Sequence, residues 1–308
     1  MPSAAPGPSS TVSVHTAQRC IRVGAITLDV TVDARLKAAL DDALVGYDAL
    51  TRSPADLPVH VRPCLRVGLA IGMTEAPSQG LPSRSRFALR DGVLEDHCVS
   101  WDARLAFDRP LAHATADFQL RDLSRFGSEL ATAFYRMWLA GVLRVVLAQV
   151  APHINALLLH AAAMVDLHGR GVVFTGASGD GKTTMTRRLS GWRVLSDDAA
   201  FLQRTATGWT VSGTPIPGRE RGPRSAETVP LVAVYFLDKS APQLTISPLS
   251  NATAFARALH RILYFAAPDD ALVTLTHNLV TEVPTHRLAS ALEHDVASAL
   301  RLHLDGGG

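Results

Sequence analysis

Apolar and polar residues alternate from Cys20 to Val32 with the period of a strand, so this stretch reads as a strand or hairpin. The period then changes. Leu36, Leu40 and Leu44 recur at helical spacing and predict a helix over Ala34–Val45. Leu65–Met73 is apolar almost throughout and predicts a buried strand, while Thr74–Ser85, rich in Pro, Ser and Gly, predicts a loop. Arg86–Arg90 and Val93–Trp101 flank Asp91 and Gly92, the two-residue signal of a tight hairpin. Helical spacing returns from Ser124 to Val150, with Leu130, Phe134, Met137, Trp138, Val142, Val145 and Val146 as apolar positions. Arg144 and Gln149 break this run short of the about 20 apolar residues that a bilayer span requires, which predicts a core helix.

In the second half, Gly171–Thr175 and Trp192–Ser196 read as short buried strands, with a helix over Thr183–Leu189 between them. Ala199–Leu202 and Trp209–Gly213 continue the strand pattern, separated by a turn over Gln203–Gly208. Gly218–Thr228 is charged and poor in apolar residues, which predicts a mobile loop carrying Arg219, Arg221 and Arg224. Val232–Leu237 follows as a buried strand, then a helix over Asn251–Phe265 capped by Ser250 or Asn251, and a terminal helix over Ala289–Leu302. Residues 1–18 have neither a basic nor a long apolar region and read as a flexible tail.

The chemistry lies between the first two of these later strands. Gly176, Ala177, Ser178, Gly179, Asp180, Gly181, Lys182 and Thr183 fit the G-x-x-x-x-G-K-[ST] phosphate-binding loop, with Thr184 just inside the helix that follows. Glycines let consecutive N–H groups converge on a polyphosphate. Lys182 then supplies a cation to the β- and γ-phosphates, and the Thr183 hydroxyl is placed to ligate Mg²⁺. Asp197 and Asp198 end the next strand, where a carboxylate beside such a loop serves a metal and a second one takes a proton from an attacking hydroxyl. His160 closes the apolar run Leu157–Leu159 and, on pattern alone, reads as a packed core residue.

The order of His160, Asp166, Gly169, Gly171, the loop Gly176–Thr183 and the closely following Asp197 and Asp198 resembles the catalytic core of the HPr serine kinase/phosphorylases. Their relatives share a core with the ATP-dependent phosphoenolpyruvate carboxykinases. The resemblance implies an α/β phosphate-loop core of that type over about residues 152–308, behind an α+β N-terminal domain over residues 19–151. It implies ATP and Mg²⁺ as cofactors, with Thr183 and Asp197 on the metal, Asp198 as the base, and His160 beside the catalytic Asp, tuning its proton affinity. The later Leu-Glu-Ile-Arg-Gly-like signature of those enzymes is missing, so HPr itself is not implied as the substrate.

At 308 residues with 47% hydrophobic content, the chain suffices for two domains. A net charge of +2, without a basic cluster beyond Arg219–Arg224, argues against a nucleic-acid surface. Cys20, Cys64 and Cys98 are odd in number and far apart, suggesting neither disulfides nor zinc, and a cytoplasmic protein free of the membrane. The expected activity is transfer of the γ-phosphoryl of ATP to a hydroxyl of a small protein or peptide, peptide natural-product precursors among them. A small-molecule alcohol kinase, a nucleotide-gated module without transfer activity, and a carboxykinase-type lyase are the alternatives; homo-oligomerisation stays open.

Overall fold

The computed structural model describes residues 16–47, 65–75, 87–90, 93–107, 113–218, 224–239, 243–265, 270–289 and 295–306. The fold is mixed α/β with two sheets. The first holds β1 (Thr16–Val23), β2 (Ile26–Asp33), β3 (Leu65–Thr74), β4 (Ala88–Arg90), β5 (Val93–His97), β6 (Trp101–Phe107) and β7 (His113–Arg121), in the order β1-β2-β3-β7-β6-β5-β4. The strand over Leu65–Met73 is only half-buried: Leu65, Val67, Leu69 and Ile71 face the core, and Arg66, Gly68 and Ala70 face out. Gly68 and Ala70 are small enough to sit on a wet face while reading as apolar, which is why the pattern suggested full burial. Arg90 pairs with Val93, as a two-residue hairpin requires, although Asp91 and Gly92 lie outside the described residues. The loop over 76–85 also lies outside them, and β1 begins inside the stretch read as a tail.

Helix α1 (Lys37–Leu44) follows a 3₁₀ turn whose Asp33 carboxylate accepts from the Arg35 N–H, and it packs against α2 (Ser128–Val150). The long helix starts at Ser128 because Gly127, with φ of +91°, separates it from a 3₁₀ turn over Ser124–Phe126. Its inward face is Tyr135, Trp138, Leu139, Val142, Val145 and Val146, whereas Leu130, Phe134 and Met137 are exposed. The expected apolar set thus spans two faces. By length and composition Ser128–Ile154 is apolar enough to cross a bilayer, and half of its most apolar window is buried inside the molecule.

The second sheet holds β8 (Ala156–Val165), β9 (Gly171–Thr175), β10 (Arg193–Ser196), β11 (Ala199–Thr205), β12 (Gly208–Ser212), β13 (Thr228–Asp238), β14 (Thr245–Pro248) and β15 (Thr285–Ala289). Its order is β10-β8-β11-β12-β13-β15-β14, and β9 lies between β8 and β13, so hydrogen bonding runs in a closed circuit through β8, β11, β12, β13 and β9. Helices cover both faces. Leu157, Leu159, Ala161 and Val173 pack toward α4 (Asn251–Leu259) and α5 (Asp270–Glu282). Ala162, Met164, Val172 and Phe174 pack toward α3 (Lys182–Arg188) and α6 (Val296–Gly306). A strand buried on both faces reads as a continuous apolar run, which is how β8 and β9 stand out in the sequence. Ser250 caps α4, whose helix stops at Leu259 so that Ile262 can bridge to Leu159. Ala289 ends β15 instead of opening the terminal helix, which begins at Val296.

The two sheets share one core. Val142 and Val146 of α2, Leu28 of the first sheet, and Leu158, Phe201 and Ile216 of the second half belong to a single buried cluster. Arg224, expected in a solvated loop, is buried there: its guanidinium donates to the carbonyls of Pro215 (2.7 Å) and Ala43 (3.2 Å), and also to Val45. It thereby satisfies carbonyls at the C-terminal end of α1 and ties the N-terminal unit to the second sheet. Arg219 and Arg221 lie outside the described residues. Arg224→Met should lower unfolding free energy by about 2–4 kcal/mol in denaturant titration, because buried carbonyls lose charged donors; a change below about 0.5 kcal/mol would show Arg224 to be an incidental contact.

Candidate active site

The loop leaves β9 at Thr175 and enters α3 at Lys182. Gly179 and Gly181 take φ values of +88° and +100°, in the region L side chains avoid, so these two glycines are required by the backbone path. Asp180 braces the turn, its carboxylate accepting from the Ala177 N–H. Ser178 and Gly179 are exposed at the tip, and Thr183 and Thr184 are half-buried in the first turn of α3. Lys182 is 8% exposed, with its ammonium donating to the carbonyls of Gly176 (3.0 Å) and Ala177 (3.1 Å). Burial lowers its proton affinity and the charge of Arg261 adds to this, while Asp198 and Asp180 oppose it.

Asp198 sits where β10 hands over to β11, and its side chain turns toward β8. Its Oδ2 accepts from Arg144 Nη2 at 2.7 Å, and its Oδ1 lies 3.4 Å from His160 Nδ1. The same His160 nitrogen is 3.0 Å from the Asp198 carbonyl oxygen. A carbonyl only accepts, so the neutral ring carries its proton on Nδ1 and leaves the Nε2 lone pair free for another partner. Burial pushes the His160 proton affinity down, the charge of Lys182 pushes the same way, and Asp198 pulls it up. His160, Lys182, Asp198 and Arg144 are therefore one electrostatic unit.

Asp197 meets a different segment. It is buried, and its Oδ1 accepts from the Gly218 N–H at 3.0 Å. A Cβ added at Gly218 would come within 2.4 Å of Asp197 Oδ2, so glycine permits this approach. The Asp197 carboxylate, expected on the metal beside Thr183, is thus engaged at least with Gly218, and Asp198 is the partner on the side of His160. Asp166, Gly169 and Gly171 shape the β8–β9 turn: Asp166 Oδ1 accepts from the N–H groups of His168 (2.9 Å) and Arg170 (2.8 Å).

Four further residues escape a reading of motifs. A cavity of about 420 Å³ opens beside Gly176, Ala177 and Asp180, and Lys239, Arg257, His260 and Arg261 line it as well. Lys239 Nζ donates to the Gly179 carbonyl at 2.6 Å. Arg257 lies in the last turn of α4 and Arg261 two residues beyond its end, a four-residue spacing that could have drawn them together had the helix run on as expected. Arg144 carried a signal too, as the one charge between Val142 and Val146. Among the described residues no three His, Cys, Asp or Glu side chains group as a metal cage. Mg²⁺ needs no such cage, because it keeps several waters and takes one or two protein ligands together with phosphate oxygens.

His160 also gives the site a pH signature. Because its proton affinity is lowered in the fold, the unfolded chain binds the proton more readily as pH falls. The stability tied to the neutral ring is complete above about pH 6.5 and is lost as pH falls through the lowered folded value. His160→Gln should flatten the fall in melting temperature between about pH 6.5 and 5, without abolishing it, because burial lowers His286 in the same direction. An unchanged slope would separate His160 from the acid response.

Over residues 131–266 the chain is similar to the family described as SynChlorMet cassette protein ScmC. That span, under half of the chain, includes Arg144, His160, Lys182, Asp198, Arg257 and Arg261. No curated protein matches the chain.

Proposed function

We propose that this protein is an HPr-kinase-like phosphotransferase that uses ATP and Mg²⁺ to phosphorylate a hydroxyl, most simply a Ser or Thr of a small protein or peptide. The observation that carries the reading is the meeting of the phosphate-loop cation Lys182 with the carboxylate Asp198 and His160 in one electrostatic unit. Phosphoryl transfer requires those two things side by side: cations on the phosphates and a base on the acceptor. A nucleotide-gated module needs the first alone.

In this reading the loop N–H groups and Lys182 hold the β- and γ-phosphates, replacing the carbonyls of Gly176 and Ala177 as partners of the ammonium. Thr183 is the protein ligand for Mg²⁺, which supplies charge neutralisation on the transferring group. Asp198 accepts the proton of the acceptor hydroxyl as its oxygen bonds to phosphorus and the bond to the ADP oxygen breaks. Arg144 and His160 fix the orientation of that carboxylate. Asp197 is assigned to holding the 214–218 segment through Gly218.

The direct test is incubation with γ-labelled ATP, Mg²⁺ and a lysate of the host, followed by mass identification of the labelled species. Asp198→Asn should bind Mg·ATP close to normally in calorimetry and lose about 10²–10⁴-fold in transfer. Lys182→Ala should weaken nucleotide binding itself. Asp197→Asn should leave the Mg²⁺ dependence of binding intact and act on stability; weakened Mg²⁺ dependence in that variant would return Asp197 to the metal. Unaltered binding and transfer in all three would remove the kinase reading.

A further inference from the structure

Arg257 and Arg261 are two cations without an evident counter-charge. Among the described residues neither guanidinium has an ion-pair partner, whereas the nearby carboxylates are engaged: Asp238 with Arg287 at 2.7 Å, Asp180 with the Ala177 N–H, and Asp198 with Arg144. Both arginines are half-buried where they line the cavity beside the loop, which the exposed His260 and Lys239 line as well. Half-buried guanidinium groups facing a common space call for an anion.

Which anion follows from where Arg261 is held. Its main-chain carbonyl accepts from the His160 N–H at 2.7 Å, and Leu263 N–H donates to the Leu158 carbonyl at 2.8 Å, so the end of α4 is stitched to the strand that carries His160. Its charge is also felt by Lys182. Arg261 is thus anchored through its main chain beside His160, the residue that contacts Asp198, while its side chain lines the cavity next to the loop. A group there meets the acceptor, because the base must lie against the accepting hydroxyl on the face of the γ-phosphoryl opposite the leaving group.

We propose that Arg257 and Arg261 bind an anionic group, a carboxylate or a phosphate, carried by the acceptor close to its reacting hydroxyl. The inference rests on the kinase reading and narrows it to acidic acceptors. It uses the geometry for which guanidinium is suited, bidentate contact with planar or tetrahedral oxyanions.

The test is calorimetry on the full chain saturated with Mg²⁺ and a non-hydrolysable ATP analogue, so that the γ-phosphate position is filled. Inorganic phosphate and acetate are then titrated separately. At least one should bind on top of the analogue, and the better of the two identifies the group the acceptor carries. Arg257→Gln and Arg261→Gln, singly and together, should weaken that binding by about 10-fold or more while changing analogue affinity by less than about 2-fold. Loss of analogue affinity in these variants would assign the arginines to the nucleotide and overturn the proposal, as would an analogue-saturated wild type that binds neither probe. Failure of the analogue to bind wild type is a different result: it would remove the kinase reading, and this inference with it.

Discussion

The geometry of the site depends on two adjacent residues of β8, His160 and Ala161, because the loop, the Asp198 turn and the segment after α4 are all hydrogen-bonded to the strand at that point. The Thr175 hydroxyl, at the mouth of the loop, donates to the His160 carbonyl at 3.0 Å. The Ala161 N–H donates to the Asp198 carbonyl at 3.0 Å, and the His160 N–H to that of Arg261 at 2.7 Å. Three segments distant in sequence are thereby fixed to one spot, those of Asp198 and Arg261 by main-chain bonds that no side-chain change removes and the loop by the Thr175 hydroxyl. The faces of β8 are apolar and covered by helices, and His160 is its sole half-buried residue among nine buried ones. A strand so buried cannot shift register without turning its two apolar faces over, so the spot stays where it is.

Charge balance follows from this placement. Arg144 is paired with Asp198, Lys182 feels the charges of both Asp198 and Arg261, and the proton affinity of His160 responds to Asp198 as well. Burial works against the charge on Lys182, yet its ammonium is satisfied by loop carbonyls rather than by a salt bridge. Carbonyls are weaker partners than phosphate oxygens, so the arrangement favours exchange of one for the other. Asp198 cannot neutralise all of these charges at once. The residue of positive charge is what a polyphosphate and an acidic acceptor would share.

The elements that the sequence revealed are those whose pattern has one dominant cause. The glycines of the loop announce their positive φ values, β8 and β9 announce burial on both faces, and Ser250 announces the start of α4. What stayed hidden depends on tertiary neighbours. The outward side of β3 looked apolar because Gly68 and Ala70 are small, and the apolar residues of α2 fell on two faces of which only one meets the core. Arg224 read as a loop charge because nothing local reveals that α1 ends against it. The direction of Asp197 was equally unreadable: alternation along a strand says that neighbours diverge, and only Gly218, brought close by the fold, says which way each one turns.

Arg144 changes what the N-terminal half is for. It comes from α2, on the N-terminal side of the expected boundary at residue 151, yet its guanidinium holds the carboxylate at the centre of the site. The helix that carries it is fixed on one side by α1 and β7 and on the other by β8. Its buried valines belong to a core that runs on into Leu158 and Phe201. A displacement of the first sheet would therefore move α2, and with it the partner of Asp198. A scaffold that merely sat beside the loop would have no such hold on it; here α2, packed on the first sheet, reaches Asp198 through Arg144, and the position of that carboxylate is set from both halves of the chain.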